Sequence, residues 1–285
     1  MIEDLTVKRV FLLGDTHGDT QSTQLAVQKA KHTDCDVILQ LGDFGFMGAG
    51  VDKFLRKTNR ALVDAGLHLF WVDGNHENHD RLDMWPLNEW GYRDTLPDNQ
   101  LPENNGTPCH IHHLPRGFRW TWEGVRFLAL GGAFSVDKDS RKEHISWWPQ
   151  ETISAGDVFR CGTDPADVMV THDVPWEVED PYGPHRLSKN LWPESNANRM
   201  ALSSVVNLVK PRLLVHGHTH WRKTTVYDVG DYKIQVEGLS SNPYWKGGGL
   251  GEDQYSWFDL QAIKDLKDQS LNENKEPKST QPPEA

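Results

Sequence analysis

Apolar residues come in short runs along this chain, and each run ends at a turn that carries polar or charged side chains. Val10–Leu13 runs into Gly14-Asp15-Thr16-His17-Gly18-Asp19, Val37–Leu41 into Gly42-Asp43-Phe44-Gly45, and Leu69–Val72 into Asp73-Gly74-Asn75-His76-Glu77. Further on, Val168–Val170 leads to Thr171-His172-Asp173, and Leu213–Val215 to His216-Gly217-His218-Thr219-His220. Runs this short and this rich in β-formers predict buried strands. Helix-like stretches at Thr20–Ala30 and Val51–Ala65 separate the first three. Strand–helix alternation predicts right-handed βαβ crossovers and a largely parallel sheet at the start of the chain.

The middle reads differently. Tyr92–Pro108, rich in Pro, Asn, Asp and Glu, predicts a long loop. Ile111–Leu114, Phe118–Trp122 and Val125–Leu130 predict strands, the last two joined at Glu123-Gly124. Ser195–Val209 predicts a helix stopped by Pro211. Thr224–Val229 and Tyr232–Glu237 predict a hairpin around Gly230-Asp231. Beyond Ile263 the chain turns to Lys, Asp, Asn, Gln and Pro, so one domain over residues 1–262 and a disordered tail over 263–285 are expected.

Composition narrows the class. With 37% hydrophobic and 25% charged residues, a soluble core is expected, and no apolar run approaches the ~20 residues that span a bilayer. The start, Met-Ile-Glu-Asp-Leu-Thr, lacks the basic and apolar segments of a secretory signal. Cys35, Cys109 and Cys161 are odd in number and widely spaced, which predicts neither a disulfide framework nor a thiolate metal site. A reducing, cytoplasmic setting follows, the host cytoplasm if the chain is phage-encoded. The net charge of −11 argues against a basic face for duplex nucleic acid and points to a small anionic substrate.

The polar turns all fall where a strand ends, and ligands of open α/β sheets bind beyond the carboxyl ends of strands. Asp15 and His17 are two apart, as are His218 and His220, so each pair can face one ion. Asp43 can bridge, Asn75 offers a neutral oxygen, and His172 adds an imidazole. Taken singly, each motif has a plain reading as a turn or a surface histidine. Their order at successive strand ends argues for a site. Mixed carboxylate and imidazole donors suit Mn, Fe, Zn and related ions rather than Ca or Mg. Seven donors with one bridging suggest two ions, a clamp for in-line displacement at phosphorus.

Asp15-Thr16-His17, Gly42-Asp43, Gly74-Asn75-His76-Glu77, His172 and Gly217-His218-Thr219-His220 together resemble the calcineurin-like metallophosphoesterase family over about Val10 to Trp221. The resemblance implies two packed mixed β-sheets flanked by helices, a four-layer αββα sandwich. It implies one metal on Asp15, His17, Asp43 and His220, and a second on Asp43, Asn75, His172 and His218. Two divalent ions follow, Mn first, with Fe, Zn, Ni or Co as alternatives. It gives His76 a catalytic role facing the phosphate, as general acid or transition-state stabiliser, while a metal-bridging hydroxide attacks in line. His216 matches no ligand position and reads as structural.

The segment Gly42-Asp43-Phe44-Gly45-Phe46-Met47-Gly48 departs from the protein Ser/Thr phosphatases of that superfamily, which carry Gly-Asp-x-Val-Asp-Arg-Gly there. The Arg that grips a dianionic monoester and the Asp that supports the catalytic His are both missing. A phosphodiester carries one charge and needs fewer cationic grips, so a phosphodiesterase acting on nucleotide-like or cyclic nucleotide substrates is expected. The alternatives are a phosphomonoesterase or pyrophosphohydrolase of the same fold, and a non-catalytic metal-bearing scaffold. Gly131-Gly132-Ala133-Phe134-Ser135 with Asp137-Lys138 and Trp147-Trp148-Pro149 resembles a compact bacterial and phage branch of the family. Lys138 and Arg141 are candidate phosphate contacts. Trp147 and Trp148 are candidates for base stacking, with packing the commoner role. The same packing role is expected of Trp176, Trp192, Trp221, Trp245, His110, His112 and His113.

Overall fold

The computed structural model describes residues 2–48, 50–96, 108–179, 191–228, 232–242 and 249–273. The chain alternates as read at its start: β1 (Arg9–Leu13), α1 (Thr20–His32), β2 (Val37–Gln40), α2 (Val51–Ala65) and β3 (His68–Trp71). A short α3 (His79–Met84), β4 (Arg93–Asp94) and β5 (Ile111–His113) follow. The second half holds β6 (Arg119–Trp122), β7 (Val125–Leu130), α4 (Ala155–Cys161), β8 (Val168–Thr171), α5 (Trp192–Val209) and β9 (Leu213–His216). It ends with β10 (Lys223–Asp228), β11 (Lys233–Gly238), β12 (Tyr255–Asp259) and α6 (Leu260–Glu273).

Two six-stranded sheets form, ordered β12-β1-β2-β3-β5-β4 and β10-β11-β9-β8-β7-β6. The strands β1, β2, β3 and β5 run parallel, as do β7, β8, β9 and β11, and antiparallel strands close the edges. Alternation along each strand separates three apolar layers. Val10, Leu12, Leu39 and Phe70 meet Phe127, Ala129, Val170 and Val215 between the sheets. Phe11, Leu13, Ile38 and Trp71 face outward onto Ala26, Val27, Phe54 and Leu62 of α1 and α2. Leu128, Met169 and Leu214 pack on Leu202, Val205 and Val209 of α5. The result is the expected αββα sandwich. Both parallel sets end on the same rim, so five strand ends converge there.

Three expectations change. Residues 93–94, read as loop, pair with β5 as an edge strand. Helix α5 begins at Trp192 rather than Ser195, with Pro193 in its first turn, where a missing N–H costs nothing. The break placed at residue 263 falls inside α6: Ile263 is buried and Leu266 packs on the inter-sheet core, so a thin apolar stripe suffices to dock this helix. The expected turn at Gly230-Asp231, most of the predicted 92–108 loop, Trp245 and residues 274–285 lie outside the described residues.

Candidate metal centre

Backbone conformation at the rim is unusual before any side chain is considered. His17 (φ 47°), Asp43 (φ 51°), His218 (φ 61°) and His220 (φ 51°) all adopt the left-handed region. For residues with a Cβ this costs about 1–3 kcal/mol each and persists only where surroundings enforce it. The enforcement is visible. Asp43 O accepts hydrogen bonds from Thr16 N (3.1 Å) and His17 N (2.8 Å), and Phe44 O accepts one from Gly18 N (3.0 Å), zipping the first two turns together. Glycines let the turns close on carboxylates. A Cβ on Gly74 would stand 2.2 Å from Asp43 Oδ1, and one on Gly217 2.2 Å from Asp15 Oδ1.

Side chains from both sheets then meet. Asp15, His17, Asp43 and His220 place donor atoms within 4.8 Å of one another. Asp43 Oδ2 is 3.4 Å from His17 Nε2, while its Oδ1 is 3.4 Å from His172 Nε2. The carboxylate thus faces a different histidine with each oxygen. His172 Nε2 also lies 3.2 Å from Asn75 Oδ1, and the His172 ring is 5.0 Å from that of His218. His172 Nδ1 donates to Leu41 O at 2.7 Å, which leaves Nε2 turned toward Asp43 and Asn75. Asp15 Oδ2 sits 2.9 Å from His220 Nε2, yet it is buried without a well-aligned hydrogen bond. A buried carboxylate oxygen without an aligned donor, set among imidazole nitrogens, fits a divalent transition metal.

The carboxylates and imidazoles of the cluster shift one another's ionisation. Burial opposes ionisation of Asp43, but His172 and His76 outweigh it and hold the carboxyl well below its usual range. Burial likewise opposes protonation of His17 and His172, yet Asp43 raises them to about 9 and about 10. Glu77, fully buried beside Asp43, is pushed up by burial and by that neighbour, while its Oε1 accepts from Phe44 N at 2.8 Å.

His76 stands at the edge of the cluster, its ring 5.6 Å from that of His17, and its backbone N donates to Asp43 Oδ1 at 2.8 Å. Arg141 Nη2 reaches its Nε2 at 2.7 Å. Burial, and then Arg141 against the pull of Asp43, lower His76 to about 4. The Arg141 side chain is only 7% exposed, and Asp137 Oδ1 (2.7 Å), Ser146 O (3.2 Å), Asn75 O (3.3 Å) and Glu151 Oε1 (3.5 Å) surround it. Lys138, the other candidate contact, is held 2.6 Å from Glu194 and lies over the Trp147 ring. Trp148 is buried and donates to Asp80 Oδ2 at 3.0 Å, and His216 is buried against its own turn.

Two residues missed by the sequence reading complete the arrangement. Asn75 Nδ2 donates to Ser135 Oγ at 3.1 Å, and Ser135 Oγ donates to Glu151 Oε2. Glu151 is fully buried, accepts from Trp148 N at 3.1 Å, and is raised by burial to about 7. Ser135 ends the Gly131-Gly132-Ala133-Phe134-Ser135 motif, and its hydroxyl was the available signal. Glu151 had none, because its contacts to Ser135 and Arg141 depend on the folded loops.

Residues 8–222 match the sequence model of the calcineurin-like phosphoesterase family. The chain belongs to that family. Its members use divalent metals to hydrolyse phosphoric esters, and the Asp/His cluster is this phosphoesterase's candidate metal site. No curated protein matches the chain. Among solved structures it is similar to the TT1561 protein of Thermus thermophilus, at 17% identity and TM-score 0.52 over 90% of this chain and 96% of that one. A dimetal phosphatase from Danio rerio aligns at 13% identity and TM-score 0.45, over 83% and 88% of the two chains. An archaeal phosphodiesterase aligns at 13% identity and TM-score 0.38, over 88% and 99%. The first of these likenesses shows the fold. Among the described residues, no helix is long and apolar enough to cross a membrane.

Proposed function

We propose that this protein is a dinuclear phosphodiesterase acting on small nucleotide-like diesters. The observation that carries the reading is Asp43, whose two oxygens face His17 and His172 separately at 3.4 Å each. One ion would take Asp15, His17, Asp43 and His220, the other Asp43, Asn75, His172 and His218, with Mn the preferred metal. When bound, such a pair supplies Lewis acidity and a water of lowered pKa. The chain's own residues do the rest. His172 is oriented by Leu41 O, Asn75 by Ser135, and His76 by Arg141. With its pKa at about 4, His76 is neutral at pH 7, which favours donation of a hydrogen bond to a developing oxyanion over general-acid catalysis.

Diester preference rests on the cations. Arg141 is engaged by His76 and by carboxylate and carbonyl oxygens, and Lys138 by Glu194. Neither is free to grip the second charge of a monoester. The test uses metal-stripped protein with and without Mn, on matched aryl phosphodiester and monoester substrates. Mn-dependent diester hydrolysis that disappears in Asp43→Ala and falls steeply in His76→Ala is the expected result. A faster monoester reaction would replace the diester reading. Metal uptake with neither activity would leave a metal-bearing scaffold.

A further inference from the structure

At the opposite end of β3 from Asn75, the β3–β5–β4 edge of the first sheet gathers a second group of donors that the phosphoesterase chemistry does not use. Asp94 and His112 are direct cross-strand partners in β4 and β5. His112 Nδ1 lies 2.7 Å from Asp94 Oδ1, and its Nε2 lies 2.9 Å from Nδ1 of His68. Cys109, two residues before β5, brings its thiol into the same group, so that one donor atom each of Asp94, Cys109 and His112 lies within 4.8 Å of the others. His110 stacks on His68 at 4.0 Å between ring centroids and braces it.

We propose that Asp94, Cys109 and His112 form a second metal site, of the zinc class, with its fourth position open to the adjoining cavity. Thiolate, imidazole and carboxylate form a borderline-soft set that suits zinc and disfavours calcium and magnesium. The thiol shares its acceptor with two other donors. It donates to Ile111 O at 3.1 Å, but that carbonyl already accepts from Thr95 N at 3.0 Å and Thr95 Oγ1 at 2.9 Å. A carbonyl offers two lone pairs, so the third donor is surplus and its proton is the one a cation displaces.

His68 supplies the outer partner that metal-bound histidines need. Without a cation, His68 Nδ1–H donates to His112 Nε2, and His112 Nδ1–H donates to Asp94. With one on His112 Nδ1, the same chain reverses: His112 Nε2–H donates to His68 Nδ1, and the His68 proton moves to Nε2. Only the Cys109 proton leaves, and each ring stays neutral. The cavity beside the group has a volume of about 570 Å³ and includes Trp85, Trp90, Tyr92 and Asn88 in its wall, room for a water or a small ligand on the open position. Sequence spacing alone gave the cysteines no such role; pairing of β4 with β5 supplies it.

The two sites are separable because the rim cluster contains no sulfur. Chelator-stripped full-length protein is titrated with Co²⁺ alone and followed by absorbance. The expected result is a near-ultraviolet thiolate-to-cobalt charge-transfer band in wild type and in Asp43→Ala, lost in Cys109→Ser. In His68→Phe the cobalt affinity at this band should fall roughly 10–100-fold, the usual effect of removing an outer partner. Far-UV circular dichroism checks that each variant is folded. Cobalt uptake by wild type with no thiolate band, or a band that survives in Cys109→Ser, overturns the proposal and leaves the phosphoesterase reading intact.

Discussion

Arg116→Met tests what holds the rim loops in place. The Arg116 side chain is 9% exposed, and its Nε (2.9 Å) and Nη2 (2.6 Å) both donate to Asp73 Oδ2. The same guanidinium donates to the carbonyls of Gln150 (2.7 Å), Glu151 (3.2 Å) and Thr152 (2.8 Å). It therefore ties the turn just before Gly74-Asn75-His76 to the segment that carries Glu151. Removing one partner of a buried pair leaves an uncompensated charge and costs about 3–5 kcal/mol. At roughly 2–4 °C per kcal/mol for a domain near this size, the melting temperature should fall by about 6–20 °C. Glu194→Gln, which breaks the exposed pair with Lys138, should cost under about 1 kcal/mol and serves as the comparison. Asp73 adds a pH signature. Burial opposes its ionisation, but Arg116 outweighs burial and His113 adds a hydrogen bond, so its carboxyl sits well below the usual range. The unfolded chain takes up that proton first as pH falls. The stabilisation is complete above about pH 4 and is lost below it, toward the folded-state value. Thermal and urea unfolding between acid and neutral pH measure both effects. A loss under about 1 kcal/mol in Arg116→Met, or an acid limb unchanged in Asp73→Asn, would refute the argument.

Other perturbations address the site directly. Ser135→Ala removes the acceptor of Asn75 Nδ2 and should lower metal affinity or activity about 10–100-fold, read by metal titration and by diester hydrolysis. Gly217→Ala places a methyl 2.2 Å from Asp15 Oδ1; the displaced carboxylate should lower kcat about 100-fold, while circular dichroism shows the fold retained. Glu151 is raised by burial to about 7, so the folded state holds its proton longer than the unfolded chain. Its contribution is greatest below pH 4.5 and is lost as pH rises to about 7, and unfolding of Glu151→Gln should lack that decline. Asp137→Asn removes the half-exposed carboxylate 2.7 Å from Arg141, and should raise the monoester-to-diester ratio of kcat/KM by releasing the guanidinium.

The architecture and the grouping of Asp15, His17, Asp43 and His220 were legible because both follow from local periodicity. A strand followed by a glycine and a carboxylate or imidazole identifies a rim position whatever lies elsewhere. Five such turns in order imply convergence once the strands are parallel. What was not legible depends on contacts between distant segments. Glu151 reaches Ser135, Arg141 and the Trp148 backbone from a turn with no periodic signal. Cys109 acquires neighbours only when the two-residue strand β4 pairs with β5. The part of α6 from residue 263 onward was read as tail because its apolar stripe is thin, yet Ile263 and Leu266 join Leu260 at the inter-sheet core. Lys138 and Arg141 looked equivalent as loop cations. Burial and pairing separate them, for one is tied to an exposed glutamate and the other is wedged against His76.

That separation bears on substrate choice. A phosphomonoester brings two negative charges to the centre, and the bound ions can offset only part of them. The remainder needs a guanidinium or ammonium whose donors are free. Arg141 is the one cation in direct contact with His76 among the described residues, and it is also in contact with Asp137, Glu151 and the carbonyls of Asn75 and Ser146. Recruiting it to phosphate would leave the fully buried Glu151 and the His76 ring without that partner. A diester would make no such demand, since its single charge could fall to the metals and its leaving oxygen could face the His76 imidazole. If His76 acts as proposed, the same contacts that hold its ring would therefore work against a dianionic substrate. On the proposed function, selectivity for diesters would arise from how the site's own cation is occupied, rather than from a pocket shaped around the alcohol.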